Sequence, residues 1–187
     1  MNIEGKLNLM IDLETLSLQP DAAIIAIGAT TFASFDIVPI NFMQSCGYSS
    51  TETYPAFHYD AATIAWWEKQ PAEARKQLDY TGTMHGLVYD FHKFLTLLSI
   101  TCNYELVVWS NGANFDIPIL EHAFRVFNIP IPWSYRNVRC YRTLAALFPE
   151  VPAPERIGTA HRAIDDAINQ AVHAEKILSS FGAGKAA

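Results

Sequence analysis

Two acids, two residues apart at the end of an apolar run, constrain this chain more than any other feature. The run is Leu7-Asn8-Leu9-Met10-Ile11-Asp12-Leu13-Glu14-Thr15, and Leu7 to Leu13 reads as a strand. Side chains alternate along a strand, so Asp12 and Glu14 share one face while Leu13 points the other way, into a core. Like charges side by side repel, and each carboxylate loses solvation in a strand interior. Either the pair sits at a solvated strand end, or something cationic removes both penalties. A divalent cation does so in one step. The pair alone supports both readings equally.

A length of 187 residues suits one domain with a sizeable core. We expect that domain over residues 1–181 and a flexible tail over 182–187. Hydrophobic residues make up 50% and charged residues 17%, a globular balance. Net charge is -6, whereas proteins that coat long duplexes are usually basic. If this chain handles nucleic acid, it grips a short piece through metal ions and a few arginines. No apolar run reaches membrane-spanning length, and Met-Asn-Ile-Glu-Gly-Lys does not read as a signal peptide. Cys46, Cys102 and Cys140 match no zinc spacing. They read as reduced thiols of a cytoplasmic protein with no membrane partner.

After the first strand, Ala22 to Phe32 reads as a second and Asp36 to Met43 as a third, an antiparallel meander. Cys46 to Phe57 reads as a loop. Asp60 is placed to cap a helix over Ala61–Lys69, and Pro71 opens a short helix over Ala72–Leu78. Met84 to Leu98 has helical spacing, with Leu87, Phe91, Phe94, Leu95 and Leu98 on its apolar side. Glu105 to Ser110 is a short buried strand, and Asn114 caps a helix through Phe127. Cys140 to Phe148 reads as helical. A last long helix starts at Thr159, with Ile164, Ile168, Ala171, Val172 and Leu178 on its buried side. Strands first, then helices alternating with strands, indicate an α/β domain with a mixed sheet.

Asp116 follows the strand Leu106 to Ser110. An acid in a first helical turn complements the helix dipole, so it has a bland role beside a functional one. His161 precedes Asp165 and Asp166. On an ideal helix Asp165 lies about 40° from His161 and Asp166 about 140° away. Asp165 is the neighbour if His161 is helical, and Asp166 only if His161 sits in the preceding loop.

Taken in order, Asp12-x-Glu14-Thr15, then Asn111-x-x-x-Phe115-Asp116, then His161-x-x-x-x-Asp166 resemble the DEDDh exonucleases of the ribonuclease H-like fold. Ala65-Trp66-Trp67-Glu68-Lys69-Gln70, Trp109 to Asp116 and Asn137 to Thr143 resemble, more narrowly, a branch of small phage and bacterial 3′–5′ exoribonucleases related to ribonuclease T. The likeness runs from residue 9 to about 178. Gln44 to Tyr59 has no close counterpart in it.

The resemblance implies a ribonuclease H-like α/β fold, with a mixed central sheet antiparallel in its first three strands and flanked by helices. It implies a metal-dependent 3′–5′ exonuclease on single-stranded RNA or DNA ends, releasing nucleoside 5′-monophosphates. Two Mg²⁺ or Mn²⁺ ions would be held by Asp12, Glu14, Asp116 and Asp166, since hard cations prefer carboxylates. Asp166 rather than Asp165 is then the fourth acid, Asp165 stays solvated, and His161 lies on a mobile loop. His161 would take a proton from the attacking water. An imidazole reference pKa of about 6.5 suits that task.

The substrate contacts that follow are Thr15, Leu16, Trp66, Trp67, Asn111, Asn114, Phe115, Arg139 and Arg162. Aromatic side chains stack on any base. Adjacent tryptophans on a helix face about 100° apart, however, so only one of Trp66 and Trp67 should touch substrate. For Arg139 and Arg162, phosphate contact and plain solvation are equally open. Relatives act as dimers, so a homodimer is also implied. Two rival readings are a non-catalytic nucleic-acid- or nucleotide-binding module of the same fold, and a phosphatase on small nucleotides.

Overall fold

The computed structural model describes residues 6–32, 38–48 and 53–183. Strands β1 (Lys6–Thr15), β2 (Ile24–Phe32) and β3 (Asn41–Ser45) form an antiparallel meander. Strand β4 (Glu105–Ser110) lies parallel to β1, and β5 (Val138–Cys140) lies parallel to β4. The sheet order is β3-β2-β1-β4-β5, so β1 is the central strand. The helices are α1 (Ala61–Trp67), α2 (Ala72–Arg75), α3 (Met84–Cys102), α4 (Asp116–Val126), α5 (Tyr141–Leu147) and α6 (Ala163–Ala183). A 3₁₀ turn, Lys76–Leu78, follows α2. Among the described residues no helix is long and apolar enough to cross a membrane.

The alternation along β1 divides the core. Leu7, Leu9, Ile11 and Leu13 enter the larger layer with Phe91, Leu95, Leu120 and Phe124 of α3 and α4. Met10 enters the opposite layer, with Trp109 of β4 and Ala167, Ala171 and Ala174 of α6. Asp12 and Glu14 continue this second face, so they point toward the start of α6. All nine residues of β2 are buried because both faces of the sheet are covered. Gly28 is paired with Asp12 across the β1–β2 ladder. A Cβ on Gly28 would lie 2.2 Å from the Ala163 carbonyl carbon. Only glycine allows α6 to begin directly against the sheet beside Asp12.

Several expected boundaries move. The third strand is Asn41–Ser45 rather than Asp36–Met43, and residues 36–37 lie outside the described residues. Pro39 has no N–H for a ladder, which excludes it from the strand. Strand β2 begins at Ile24, and Ala22 makes only an isolated bridge to His58. The short edge strand β5 went unread, and α5 starts at Tyr141 because Cys140 ends that strand. Asn114 does not cap α4: Phe115 occupies the cap position without a side-chain bond. Helix α6 starts at Ala163 and runs to Ala183, and residues 184–187 lie outside the described residues. Its buried stripe is Ala163, Ala167, Ala171, Ala174 and Ile177, whereas Val172 is exposed. Small side chains at that spacing let the helix lie close to the sheet.

Candidate active site

Carboxylate oxygens of Asp12, Glu14 and Asp166 all lie within 4.8 Å of one another. The first two come from the end of β1, the third from the first turn of α6. Asp116, the first residue of α4, is buried beside them, and its Oδ1 accepts the Leu13 N–H at 3.2 Å. Burial, then the charges of Asp116, Glu14 and Asp166, hold the Asp12 carboxyl well above the usual range. Burial and the Asp166 and Asp116 charges push Glu14 up to about 8. Burial pushes Asp116 to about 6, against the opposing pull of backbone N–H groups. Glu14 Oε1 is buried with no hydrogen-bond partner among the described residues. Converging carboxylates with an unpartnered oxygen fit a hard divalent cation.

These shifts predict how stability varies with pH in chelator. Unfolded, Glu14 loses its proton near 4.5; folded, it keeps it to about 8. The folded state binds more protons across that window, so stability falls as pH rises through it. The slope is on the order of 1.4 kcal/mol per pH unit for one such group. Thermal melts should show the metal-free protein losing stability from pH 4.5 toward 8, with a shallower loss for Glu14→Gln. Identical slopes would contradict the electrostatic picture.

The turn before α6 decides which of the two adjacent acids His161 meets. His161 has φ of +61°, outside the helix, a conformation costing on the order of 1–3 kcal/mol for a non-glycine residue. Its N–H donates to Asp166 Oδ2 at 2.9 Å, so Asp166 is the acid it meets. Its ring packs edge-on against Trp66, with centroids 4.9 Å apart. Asp165 is not simply solvated. It accepts the Thr159 N–H at 2.9 Å, lies 3.4 Å from the Arg162 guanidinium and is mostly buried. Gly158, at φ +72°, makes room for that carboxylate: a Cβ there would lie 2.4 Å from Asp165 Cγ. Asn169 pairs with both the N–H and the C=O of Ile157. The segment before α6 is hydrogen-bonded to that helix through Asn169, Asp165 and Asp166.

A cleft of about 650 Å³ opens over the acids and is lined also by Asn111, Phe115, Tyr141, Arg142, Arg156 and His161. A smaller one of about 430 Å³ adjoins it, between Glu14, Thr15, Leu18, Thr63, Trp66 and Phe115. Phe115 stands between the two. Trp66 is 41% exposed there; Trp67 also lines this cleft but is only 1% exposed, and its Nε1 donates to the Thr15 carbonyl. Trp67 thus belongs to the core and braces the end of β1. Leu16 is likewise core at 1% exposure, whereas Leu18, 75% exposed, lines both clefts. Thr15 is buried and its Oγ1 donates to the Ser17 carbonyl.

Three further expected contacts line neither cleft. Asn114 is exposed outside both clefts. Arg139 Nη1 donates to the carbonyls of Arg136 and Val138. Arg162 is turned toward Asp165. In their place Arg142 and Arg156 face the main cleft, and Arg156 is paired with Asp166. Gln170 also went unread. Its Nε2 donates to Asp12 Oδ1 at 2.8 Å. Its i+4 spacing from Asp166, which puts both on one side of α6, was the available signal.

The geometry has counterparts among solved structures. The nuclease domain of 3′hExo, a DEDDh family member, bound to rAMP, has a TM-score of 0.67 at 14% identity, covering 96% of this chain and 95% of that one. A 3′-exonuclease solved for 3′-end specific recognition of a histone mRNA stem-loop gives 0.63 at 14% identity, covering 93% and 82%. The RNase domain of yeast Pop2 gives 0.56 at 11% identity, covering 93% and 77%. These likenesses establish the fold: the mixed five-stranded sheet with flanking helices is the ribonuclease H-like fold of the DEDDh exonucleases. No curated protein matches the chain. The model of the 3′-5′ exoribonuclease Rv2179c-like domain matches residues 7–178, and the chain belongs to that family of 3′–5′ exonucleases.

Proposed function

We propose that this protein is a divalent-metal-dependent 3′–5′ exonuclease that trims single-stranded RNA or DNA ends and releases nucleoside 5′-monophosphates. The observation that carries the reading is the convergence of Asp12, Glu14 and Asp166 at the floor of a cleft that also holds His161. Likeness to a nuclease domain solved with rAMP supports the product class and favours RNA. The reading includes a homodimer, which light scattering checks.

Asp12, Glu14 and Asp166 would hold Mg²⁺ or Mn²⁺, with Asp116 joining from the start of α4. When bound, such ions neutralise phosphate charge and supply a nucleophile at neutral pH. His161 accepts the proton of the attacking water on its imidazole, which the αL turn and the Trp66 ring orient. Trp66, Leu18 and Phe115 offer the terminal base apolar surfaces, and Arg142 and Arg156 face the cleft where backbone phosphates would run.

The test offers matched RNA and DNA oligonucleotides, labelled at the 5′ end, with and without Mg²⁺. We expect a ladder shortening from the 3′ end only with Mg²⁺. Binding without a ladder would make the protein a binding module, and release of phosphate from a mononucleotide would make it a phosphatase.

The tryptophans separate substrate contact from packing. Trp66→Ala should raise KM, since stacking contributes about 1–3 kcal/mol per base, and leave the melting temperature nearly unchanged. Trp67→Ala should destabilise the fold by about 3–5 kcal/mol. If Trp66→Ala leaves KM at the parent value, the smaller cleft does not hold the base.

A further inference from the structure

Gln77 lies 84 residues before His161, in the 3₁₀ turn after α2, and its side chain is buried. Its amide makes three hydrogen bonds. Nε2 donates to the Ala74 carbonyl at 3.0 Å and to the His161 carbonyl at 2.7 Å. Oε1 accepts the Ala163 N–H at 3.2 Å. The amide therefore grips the chain at His161 and again two residues on. Ala163 opens α6, so its N–H is one of those a helix cannot satisfy within itself. Gln77 satisfies it from a distant segment. Left-handed backbone at a non-glycine residue persists only where the surroundings over-determine it. At His161 the restraints are Asp166 on the N–H, Trp66 on the ring and Gln77 on the carbonyl. Asp166 is a proposed metal ligand and Trp66 a proposed base platform. Gln77 is neither, and the three hydrogen bonds of its amide all go to backbone.

We infer that Gln77 is a positioning residue for His161: its buried amide holds the αL turn that aims the imidazole into the cleft. The inference rests on the reading of His161 as the general base. The experiment compares Gln77→Met in the parent chain and in His161→Ala, using a 5′-labelled single-stranded RNA oligonucleotide with Mg²⁺. In the parent background kcat should fall about 10²-fold, with KM and the Mg²⁺ requirement changed less than about twofold, because misplacement of a reacting group acts on the chemical step. In the His161→Ala background the same substitution should change kcat by less than about twofold, since no imidazole is left to misplace. Independently of activity, amide hydrogen exchange at Ala163 should accelerate in Gln77→Met while the middle of α6 stays protected.

Should Gln77→Met fail to fold, Gln77→Glu keeps an acceptor for the Ala163 N–H and removes the donor to His161, and its kcat and KM in the two backgrounds are read the same way. Equal losses in both backgrounds, or no loss in the parent, would overturn the inference. A slow His161→Ala with an undiminished Gln77→Met overturns this inference alone. An undiminished His161→Ala overturns the general-base reading and this inference together.

Discussion

Asp12→Asn should cut Mg²⁺-dependent ladder formation about 10³-fold or more, because losing one ligand removes several kcal/mol of charge stabilisation at about 1.4 kcal/mol per tenfold. The same substitution should raise the melting temperature of the metal-free protein. In the parent, the Asp12 carboxyl is held well above its usual range by burial and by three acidic neighbours. Near neutral pH it must either keep a proton or repel those neighbours, and both destabilise the fold. Asparagine carries no charge, and its Oδ1 can still accept from Gln170 Nε2, the bond Asp12 makes. The two readouts therefore move in opposite directions, which separates loss of a ligand from loss of structure. Mg²⁺ should also raise the melting temperature of the variant less than that of the parent. Retention of most of the Mg²⁺-dependent rate would remove Asp12 from the reaction.

His161→Ala is expected to slow turnover about 10²–10⁴-fold, the usual contribution of a positioned base. Binding should be nearly unaffected, because His161 meets Asp166 through its backbone N–H, not through its imidazole. That N–H survives the substitution, so the acids should stay in place. The Mg²⁺-induced rise in melting temperature and the KM for oligonucleotide should both match the parent. A large loss of Mg²⁺ affinity would instead make the imidazole a ligand. Alanine also removes the ring that packs against Trp66. His161→Asn tests whether a polar side chain without a basic nitrogen restores that packing but not the rate.

Much of the site was legible because it rests on local periodicity. Alternation along β1 placed Asp12 and Glu14 on one face and Leu13 on the other whatever the rest of the chain did. The apolar stretch ending at Ser110 and the acid at the start of the next helix likewise fixed the place of Asp116. The His161-to-Asp166 spacing was different, since both helical and loop readings were open. A single φ of +61° decided it, and that angle depends on Gln77, Trp66 and Asp166, two of them far away in the chain.

The unread contacts are of this second kind. Trp66 and Trp67 are chemically identical, and the fold alone turned Trp67 to the Thr15 carbonyl and left Trp66 at the cleft. Leu16, expected at the substrate, is core, and Leu18, for which nothing was expected, lines both clefts instead. Arg156 rather than Arg139 faces the main cleft, since a guanidinium goes to whichever acceptors the tertiary structure brings near: carbonyls for Arg139, the Asp166 carboxylate for Arg156. By itself the sequence determined which groups carry charge and which face of each element they occupy, because these follow from backbone geometry within a few residues. Only the tertiary structure decided which of those groups meet. Pairing Asp12 with Asp166, or His161 with Gln77, requires α6 to pack on Gly28 and the 3₁₀ turn to reach the start of α6, and neither approach is encoded locally.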